Sequence, residues 1–231
     1  KEFRPSKDNS AIPTATPYPR ASKLTSYHEQ AVSIVDMYPL LQKHAAKGRC
    51  LLKGYLTNRL NRESRAGLSD PDARHQWICL DFDDAELNSI NEGLALCGLD
   101  EYSHIIQYSA SSGLPHKQGI SAHVFFALDG ELSAEELQDW LLWLNFEYFP
   151  DQTIARDYGA TLKTIVDPAV GRYTQILYIA DPHFHPGVSD PHDETINPRW
   201  ELVTRKYGAI PASMVRTLTP HPNILKAKKT E

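Results

Sequence analysis

Residues 77–84 read WICLDFDD, an apolar run that ends in acids, and this pattern predicts a buried β-strand. Side chains two apart on a strand point to the same face, so Asp81 and Asp83 are expected to lie side by side. Two neighbouring carboxylates repel each other unless a cation lies between them. The stretch therefore predicts a divalent metal site at the end of a buried strand.

Two later stretches carry residues that suit the same site. Residues 121–126 read SAHVFF and predict a second strand, which presents Ser121 and His123 on one face. A third acid, Asp167, follows the short run TIV at 164–166. Carboxylates that share one side of a sheet suit Mg²⁺ or Mn²⁺, which bind oxygen ligands and complete their shell with substrate phosphate oxygens.

Composition places the chain among globular proteins without a strong global charge. Its 231 residues are 41% hydrophobic and 23% charged, and the formal net charge is −5. No apolar stretch approaches the roughly twenty residues that cross a bilayer, and no signal peptide opens the chain, so we expect a cytoplasmic protein without a membrane partner. The three cysteines lack metal-ligand spacing and are expected to be free thiols. The chain opens at Lys1, and we expect it to be part of a longer protein.

Positive charge is concentrated between residues 43 and 65, where the only acid is Glu63. A run of charge is most often a solvated face, and contact with phosphate or nucleic acid is the functional alternative. The basic residues of this stretch are Lys43, Lys47, Arg49, Lys53, Arg59, Arg62 and Arg65.

The order of predicted elements indicates an α+β fold. Residues 1–25 predict an extended lead-in, and a capping box at 26–29 predicts the start of a helix that ends at Gly48. Two further helices are expected, one from the N-cap Asp84 to Gly98 and one after a second capping box at 133–136. Strands are predicted at 49–56, 76–83, 103–110, 121–128, 162–167 and 174–180.

The central succession over about residues 76–180 is β-α-β-β-α-β, the ferredoxin-like split unit that RNA-recognition (RRM) modules also use. In that arrangement the first and third strands are central neighbours and the fourth strand flanks the first, so the three polar motifs would lie on adjacent strands. We expect this core to carry a small N-terminal α/β accessory lobe at about 26–75. The whole domain would span 26–205, and 206–231 would be a polar C-terminal segment or linker.

The same residues resemble a known family. A hydrophobic-D-hydrophobic-D strand at 80–83, an S-x-H strand at 121–123 and a hydrophobic-D strand at 166–167 occur in this order. They are similar to the signature of the archaeo-eukaryotic primase superfamily, the primase-polymerases. The serine-rich stretch SASSG at 109–113 leads to the second motif, and the resemblance covers about residues 49–180.

The resemblance implies a DNA primase or DNA-directed polymerase that joins nucleotides by two-metal phosphoryl transfer. It implies that Asp81, Asp83 and Asp167 are catalytic and hold Mg²⁺ or Mn²⁺. The implied partners are nucleoside triphosphates, a single-stranded DNA template and a helicase domain or subunit, within a replication protein of a phage, plasmid or other mobile element. The template would follow the basic stretch, and its affinity would fall as salt rises. The expected template contacts are Lys53, Arg59, Arg62 and Arg65.

The resemblance also implies contacts to the phosphates of the incoming nucleotide. The residues matched to this role are Ser121, His123, Arg172 and Arg49. The family often carries a second basic residue shortly after the third acid, and here Gln175 and Tyr178 occupy that stretch.

Two alternatives remain open. His183 and His185 form an HFH triplet, as in HUH-type rolling-circle initiator endonucleases, where paired histidines bind a metal and a tyrosine attacks DNA. Here Tyr207 would be the nucleophile, but prolines on both sides of the triplet indicate a loop and not a central strand. The second alternative is a non-catalytic RRM-like nucleic-acid-binding module, which needs exposed aromatic side chains where this chain carries carboxylates.

Overall fold

The structure is a computed structural model that describes residues 1–4, 13–16, 23–115, 117, 119–155, 162–192 and 195–220. The α+β class predicted from the sequence is confirmed, because the described residues form helices together with several small sheets. The helices are α1 (Ile34–Ala45), α2 (Ile90–Leu96), α3 (Ala134–Tyr148) and α4 (Ala212–Leu218). Of these four, none is long and apolar enough to cross a membrane.

The strands of the described residues are short, except for two at the centre of the fold. In chain order they are β1 (Glu2–Arg4), β2 (Thr14–Thr16), β3 (Leu24–Thr25), β4 (Leu51–Leu52), β5 (Asn61–Glu63), β6 (His75–Ala85), β7 (His104–Tyr108), β8 (Ile120–Leu132), β9 (Ile154–Ala155), β10 (Leu162–Lys163), β11 (Ile176–Leu177), β12 (His183–Phe184), β13 (Trp200–Val203) and β14 (Ile210–Pro211).

A five-stranded sheet is the framework of the fold. β6 and β7 both pair antiparallel with the long strand β8, and β13 extends the sheet beyond β7. β14 runs parallel to the last part of β8. On the free side of β6, Val166 forms an antiparallel bridge with Phe82. The chain around residue 166 is therefore the neighbour of β6 on the side opposite β8.

Both faces of β6 are covered, which explains why its sequence is almost continuously apolar. On one face, the ring of Phe82 meets Phe149, which follows α3, edge-on with ring centroids 6.4 Å apart. The other face carries Trp77 and Cys79, and Phe125 lies opposite Cys79 on β8. We call this second side of the sheet the Trp77 face. It packs against α1 and against a small two-stranded sheet, and all of these parts share one buried apolar core.

The small sheet on the Trp77 face is an antiparallel pairing of β4 with β11, here called the β4–β11 ladder. A backbone hydrogen bond from Lys53 N–H to the carbonyl of Gln175 (2.9 Å) extends it. The side chain of Lys53 points inward and is 2% exposed. Its ammonium donates to the carbonyl of Trp77 (2.6 Å) and lies 3.8 Å from the centroid of the Trp77 ring.

The start of α1 differs from the sequence prediction. The helix begins after the N-cap Ser33, and the predicted capping box at 26–29 does not form. The reason is a tertiary contact, because the hydroxyl of Ser26 accepts a hydrogen bond from the backbone N–H of Leu60 (2.9 Å). The predicted helix end is confirmed within a few residues, since Gly48 follows with a left-handed φ of 66°.

The start of α2 also differs. β6 continues to Ala85, and α2 begins only after the N-cap Ser89, so Asp84 does not cap a helix. The backbone of Asp84 has a left-handed φ of 56°, and it lies where the pairing of β6 with β8 shifts register between Phe82 and Ala85. The second predicted capping box is confirmed, because Ser133 and Glu136 exchange hydrogen bonds at the start of α3.

The predicted lead-in and the predicted C-terminal linker are both partly folded. Phe3 in β1 is fully buried and stacks on Phe184 of β12 with ring centroids 4.9 Å apart. Residues 206–220 include β14 and α4, and Val215 of α4 is buried in the core. Residues 5–12, 17–22 and 221–231 lie outside the described residues.

Burial of Lys53 predicts a pH-dependent stability. Burial lowers the pKa of Lys53 from 10.5 to about 7, so between these values the unfolded chain holds a proton that the folded chain lacks. Stability therefore rises with pH across this window and carries the full penalty below pH 7. We expect Lys53→Met to stabilise the protein by roughly 2–4 kcal/mol at about pH 6, and by less at about pH 9.

Urea denaturation at the two pH values measures this effect. Lys47→Met, which removes an exposed lysine after α1, is the matched control and should leave the pH dependence unchanged. Equal pH dependence in wild type and Lys53→Met would show that Lys53 does not carry the effect.

Candidate active site

The three sequence motifs meet around Asp81, which is paired on both sides. In the register of β6 and β8, Asp81 lies directly opposite His123. On the other side of β6, the backbone N–H of Asp167 donates to the carbonyl of Asp81 (2.9 Å). The N–H of Asp83 donates to the carbonyl of Ile165 (3.1 Å) in the same pairing. The acid pair, the histidine and the third acid therefore occupy one end of the sheet.

The electrostatics of Asp167 reflect this crowding. Burial raises the pKa of Asp167, and the N–H of Ala169, which donates to its Oδ1 (2.9 Å), lowers it. The carboxylates of Asp81 and Asp83 raise the pKa again, and Arg172 lowers it. The three acids are thus close enough to repel one another, and a cation among them would remove that repulsion.

The donor set fits a hard divalent cation, although the side chains are not arranged as a finished cage. Within the described ranges, no group of three His, Cys, Asp or Glu side chains is placed to hold a metal ion. Asp83 is exposed, and Oδ1 of Asp81 lies 3.5 Å from Nε2 of His123. Asp81, Asp83 and Asp167 are the residues that would hold Mg²⁺ or Mn²⁺, because they offer carboxylate oxygens at one edge of the sheet.

His123 is held by a residue that the sequence did not suggest. Nε2 of Gln107 donates to the carbonyl of Ile179 (2.6 Å), which leaves Oε1 of Gln107 to face Nδ1 of His123 (2.9 Å). Since Oε1 can only accept, Nδ1 carries the hydrogen and Nε2 points towards Asp81. A polar residue within the buried strand HIIQY was the available signal for Gln107.

Asn145 holds the segment that leads to the third acid. It is fully buried on α3, and its Oδ1 accepts from the backbone N–H groups of Ile165 (2.9 Å) and Val166 (3.0 Å). Its Nδ2 donates to the carbonyls of Val166 (2.8 Å) and Leu141 (2.7 Å). Asn145 therefore pins the backbone just before Asp167. The signal in the sequence was an amide on the apolar stripe of α3, four residues after Leu141.

Ser121 holds the backbone that follows the acid pair in place. Its Oγ accepts a hydrogen bond from the backbone N–H of Asp84 (3.0 Å), and the residue is 4% exposed. Gly119 approaches the same residue so closely that a side chain there would collide with the backbone of Asp84. In this structure Ser121 thus fixes the irregular backbone after the acid pair, where the register of β6 and β8 shifts. Its predicted contact with nucleotide phosphate gains no support from the geometry.

Two of the predicted basic contacts have other roles. The guanidinium of Arg49 lies 3.6 Å from the centroid of the Tyr27 ring, and its Nη1 is 3.1 Å from Nδ1 of His44. Among the described residues, Arg49 contacts none of the acids. Lys53 is enclosed under the β4–β11 ladder, so it has no surface to offer a template. The sequence prediction for Lys53 is corrected on this point, because the ammonium faces Trp77 inside the fold.

The remaining basic residues are at least partly exposed, and one of them reaches the segment that follows the third acid. Arg59 and Arg62 are exposed, and Arg65 donates from Nη1 to the carbonyl of Thr174 (2.8 Å). This contact brings the end of the basic stretch to the segment that follows the third acid. Arg172 is exposed in that segment and acts electrostatically on Asp167.

The HFH triplet lies away from these groups. His183 belongs to β12, a two-residue strand that pairs with β1, so the region is not entirely the predicted loop. The rings of His183 and His185 are 4.8 Å apart, and Nε2 of His185 lies 3.7 Å from a carboxylate oxygen of Glu2. Tyr207 packs on Tyr102 (ring centroids 5.3 Å), which precedes β7. His123 of the acid site lies opposite Gln107, near the other end of that strand.

Comparison of the chain with models of protein families, with curated proteins and with solved structures found no match. The resemblance to primase-polymerases therefore depends on the three motifs and on their order.

Metal binding at the three acids is directly testable by thermal unfolding. We expect Mn²⁺ at about a hundredfold above its Kd to raise the unfolding midpoint of the wild type by roughly 5–10 °C. The Asp81→Asn/Asp83→Asn variant should lose this shift and should be more stable than the wild type without metal, because the repulsion is relieved. Asp84→Asn is the matched control, since Asp84 faces Lys117 (3.6 Å) instead. A full Mn²⁺ shift in the double variant would place the metal elsewhere.

Asn145 provides a second prediction. Asn145→Ala leaves the buried N–H groups of Ile165 and Val166 and the carbonyl of Val166 without their partner, so we expect a loss of roughly 3 kcal/mol in the free energy of unfolding. Asn91→Ala, on the exposed side of α2, should change it by less than about 0.5 kcal/mol. Urea denaturation of both variants measures the difference, and similar midpoints would mean that Asn145 does not pin the segment.

Proposed function

We propose that the chain is the catalytic domain of a primase-polymerase, a nucleotidyltransferase that makes primers on single-stranded DNA. The observation that carries the proposal is the double pairing of Asp81, which has His123 opposite it on one side and Asp167 bonded to it on the other. Three motifs that are far apart in the chain thus bring their carboxylates and a histidine to one end of the sheet.

The proposal includes an RRM/ferredoxin-like core. Its support is the strand order, in which the chain around residue 166, β6, β8 and β7 are successive neighbours. α2 connects β6 to β7, and α3 connects β8 towards residue 166, as a split β-α-β-β-α-β unit requires. α1 and the β4–β11 ladder would be the accessory lobe.

In the proposed reaction a primer 3′-hydroxyl oxygen attacks the α-phosphorus of a nucleoside triphosphate, and pyrophosphate leaves. Bound Mg²⁺ or Mn²⁺ would neutralise charge on the attacking and leaving oxygens. Asp81, Asp83 and Asp167 would hold the cations. His123, whose Nδ1 is fixed by Gln107, would donate from Nε2 to a phosphate oxygen when both ring nitrogens carry hydrogen, and Arg172 would add positive charge to the phosphate site.

The proposed partners follow from the same chemistry. Single-stranded DNA would contact Arg59, Arg62 and Arg65, and its binding would weaken as salt rises. Nucleoside triphosphates would enter beside His123. We further propose that the domain belongs to a replication protein of a mobile element that also uses a helicase.

The activity is tested by incubating the protein with single-stranded DNA, labelled nucleotides and Mn²⁺. We expect primers that lengthen with time, and a fall in their formation of roughly a thousandfold in Asp81→Asn/Asp83→Asn. Asp84→Asn should keep wild-type activity, because the carboxylate of Asp84 faces Lys117 instead.

The same incubation separates the other two readings of the motifs. Strand nicking with a product linked to Tyr207, abolished by Tyr207→Phe, would replace the proposal with a rolling-circle initiator. Binding of DNA without any product, in wild type and both acid variants alike, would replace it with a binding module.

A further inference from the structure

The β4–β11 ladder has two unlike faces. Leu177 and Ile179 point into the core and are almost fully buried, whereas Tyr178 between them is 70% exposed. Tyr178 directly follows β11, and because side chains alternate along an extended chain, it lies on the outer face, away from the sheet below. A large aromatic ring therefore stands in solvent between two residues that are fixed in the core.

A cationic side chain lies across the same outer face. Arg65 donates to the carbonyl of Thr174 in the extension of β11. Burial raises the pKa of the Cys50 thiol, and Arg65 is near enough to lower it. If the register of β4 and β11 is continued by one pair, Cys50 stands opposite Tyr178. The guanidinium of Arg65 and the ring of Tyr178 thus share one surface.

The charge of the surroundings favours a polyanion. Two arginines lie beside the ladder, and within the described part of the chain neither forms an ion pair with a carboxylate. These arginines are Arg65 and Arg172.

We propose that the outer face of the β4–β11 ladder binds single-stranded nucleic acid, with a base stacked on Tyr178 and a phosphate held by Arg65. Aromatic rings beside arginines are the arrangement that single-strand binding proteins use, because every base has a face that can stack. As the path of the template, this surface rests on the proposed function. It also adjoins the acid site. Gln107 donates to the carbonyl of Ile179, the residue after Tyr178, and accepts from His123.

The test is binding of a fluorescein-labelled oligothymidylate to the full chain, measured by anisotropy without metal or nucleotide. We expect Tyr178→Ala to weaken binding about tenfold and Tyr178→Phe to keep it, because the ring remains. Arg65→Gln should reduce the slope of log K against log salt by about one. Tyr207→Ala, which removes an exposed tyrosine that packs on Tyr102, should bind as the wild type does.

The outcomes separate this inference from the proposed function. Wild-type affinity in Tyr178→Ala overturns the stacking surface, even if the protein makes primers. Loss of affinity in Tyr178→Ala, with a wild type that makes no primers, supports the surface and removes the polymerase. Absence of oligothymidylate binding by the wild type overturns the inference.

Discussion

The site depends on the backbone contacts that hold like charges together at the end of one strand. Carboxylates that approach one another raise the free energy of the folded state, so their positions persist only where other contacts enforce them. Here the enforcing contacts are to the backbone. β6 is bonded on both edges, and Asn145 ties the segment before Asp167 to α3. The acids themselves contribute little to this framework, which makes them free to bind something else.

The supporting residues of the site act mainly on main-chain groups. Ser121 accepts from the amide of Asp84, Asn145 bonds the amides before Asp167, and Gln107 donates to the carbonyl of Ile179. Each of these side chains is buried and each joins two elements that are far apart in the chain. A site built in this way keeps its backbone geometry without a ligand, because that geometry is set by hydrogen bonds inside the protein.

The sequence predicted the parts of the fold that depend on local pattern. β6, β8 and the capping box before α3 were recognisable because their apolar alternation and capping residues are strong and continuous. The start of α1 was not recognisable, since Ser26 bonds Leu60 and not its own helix. The acids and His123 could be located by motif, but Lys53 was misplaced at the surface. Its inward direction depends on Trp77, a partner that only the folded chain brings near.

The hydrogen bond between Gln107 and the carbonyl of Ile179 has a consequence for proton location. That carbonyl decides which end of the amide faces the imidazole ring of His123. If the carbonyl moved away, the amide could rotate by half a turn and offer its NH₂ group to Nδ1. The ring would then have to accept at Nδ1 and carry its hydrogen on Nε2. A small displacement of the segment after β11 would thereby exchange the tautomer of the histidine that lies opposite Asp81.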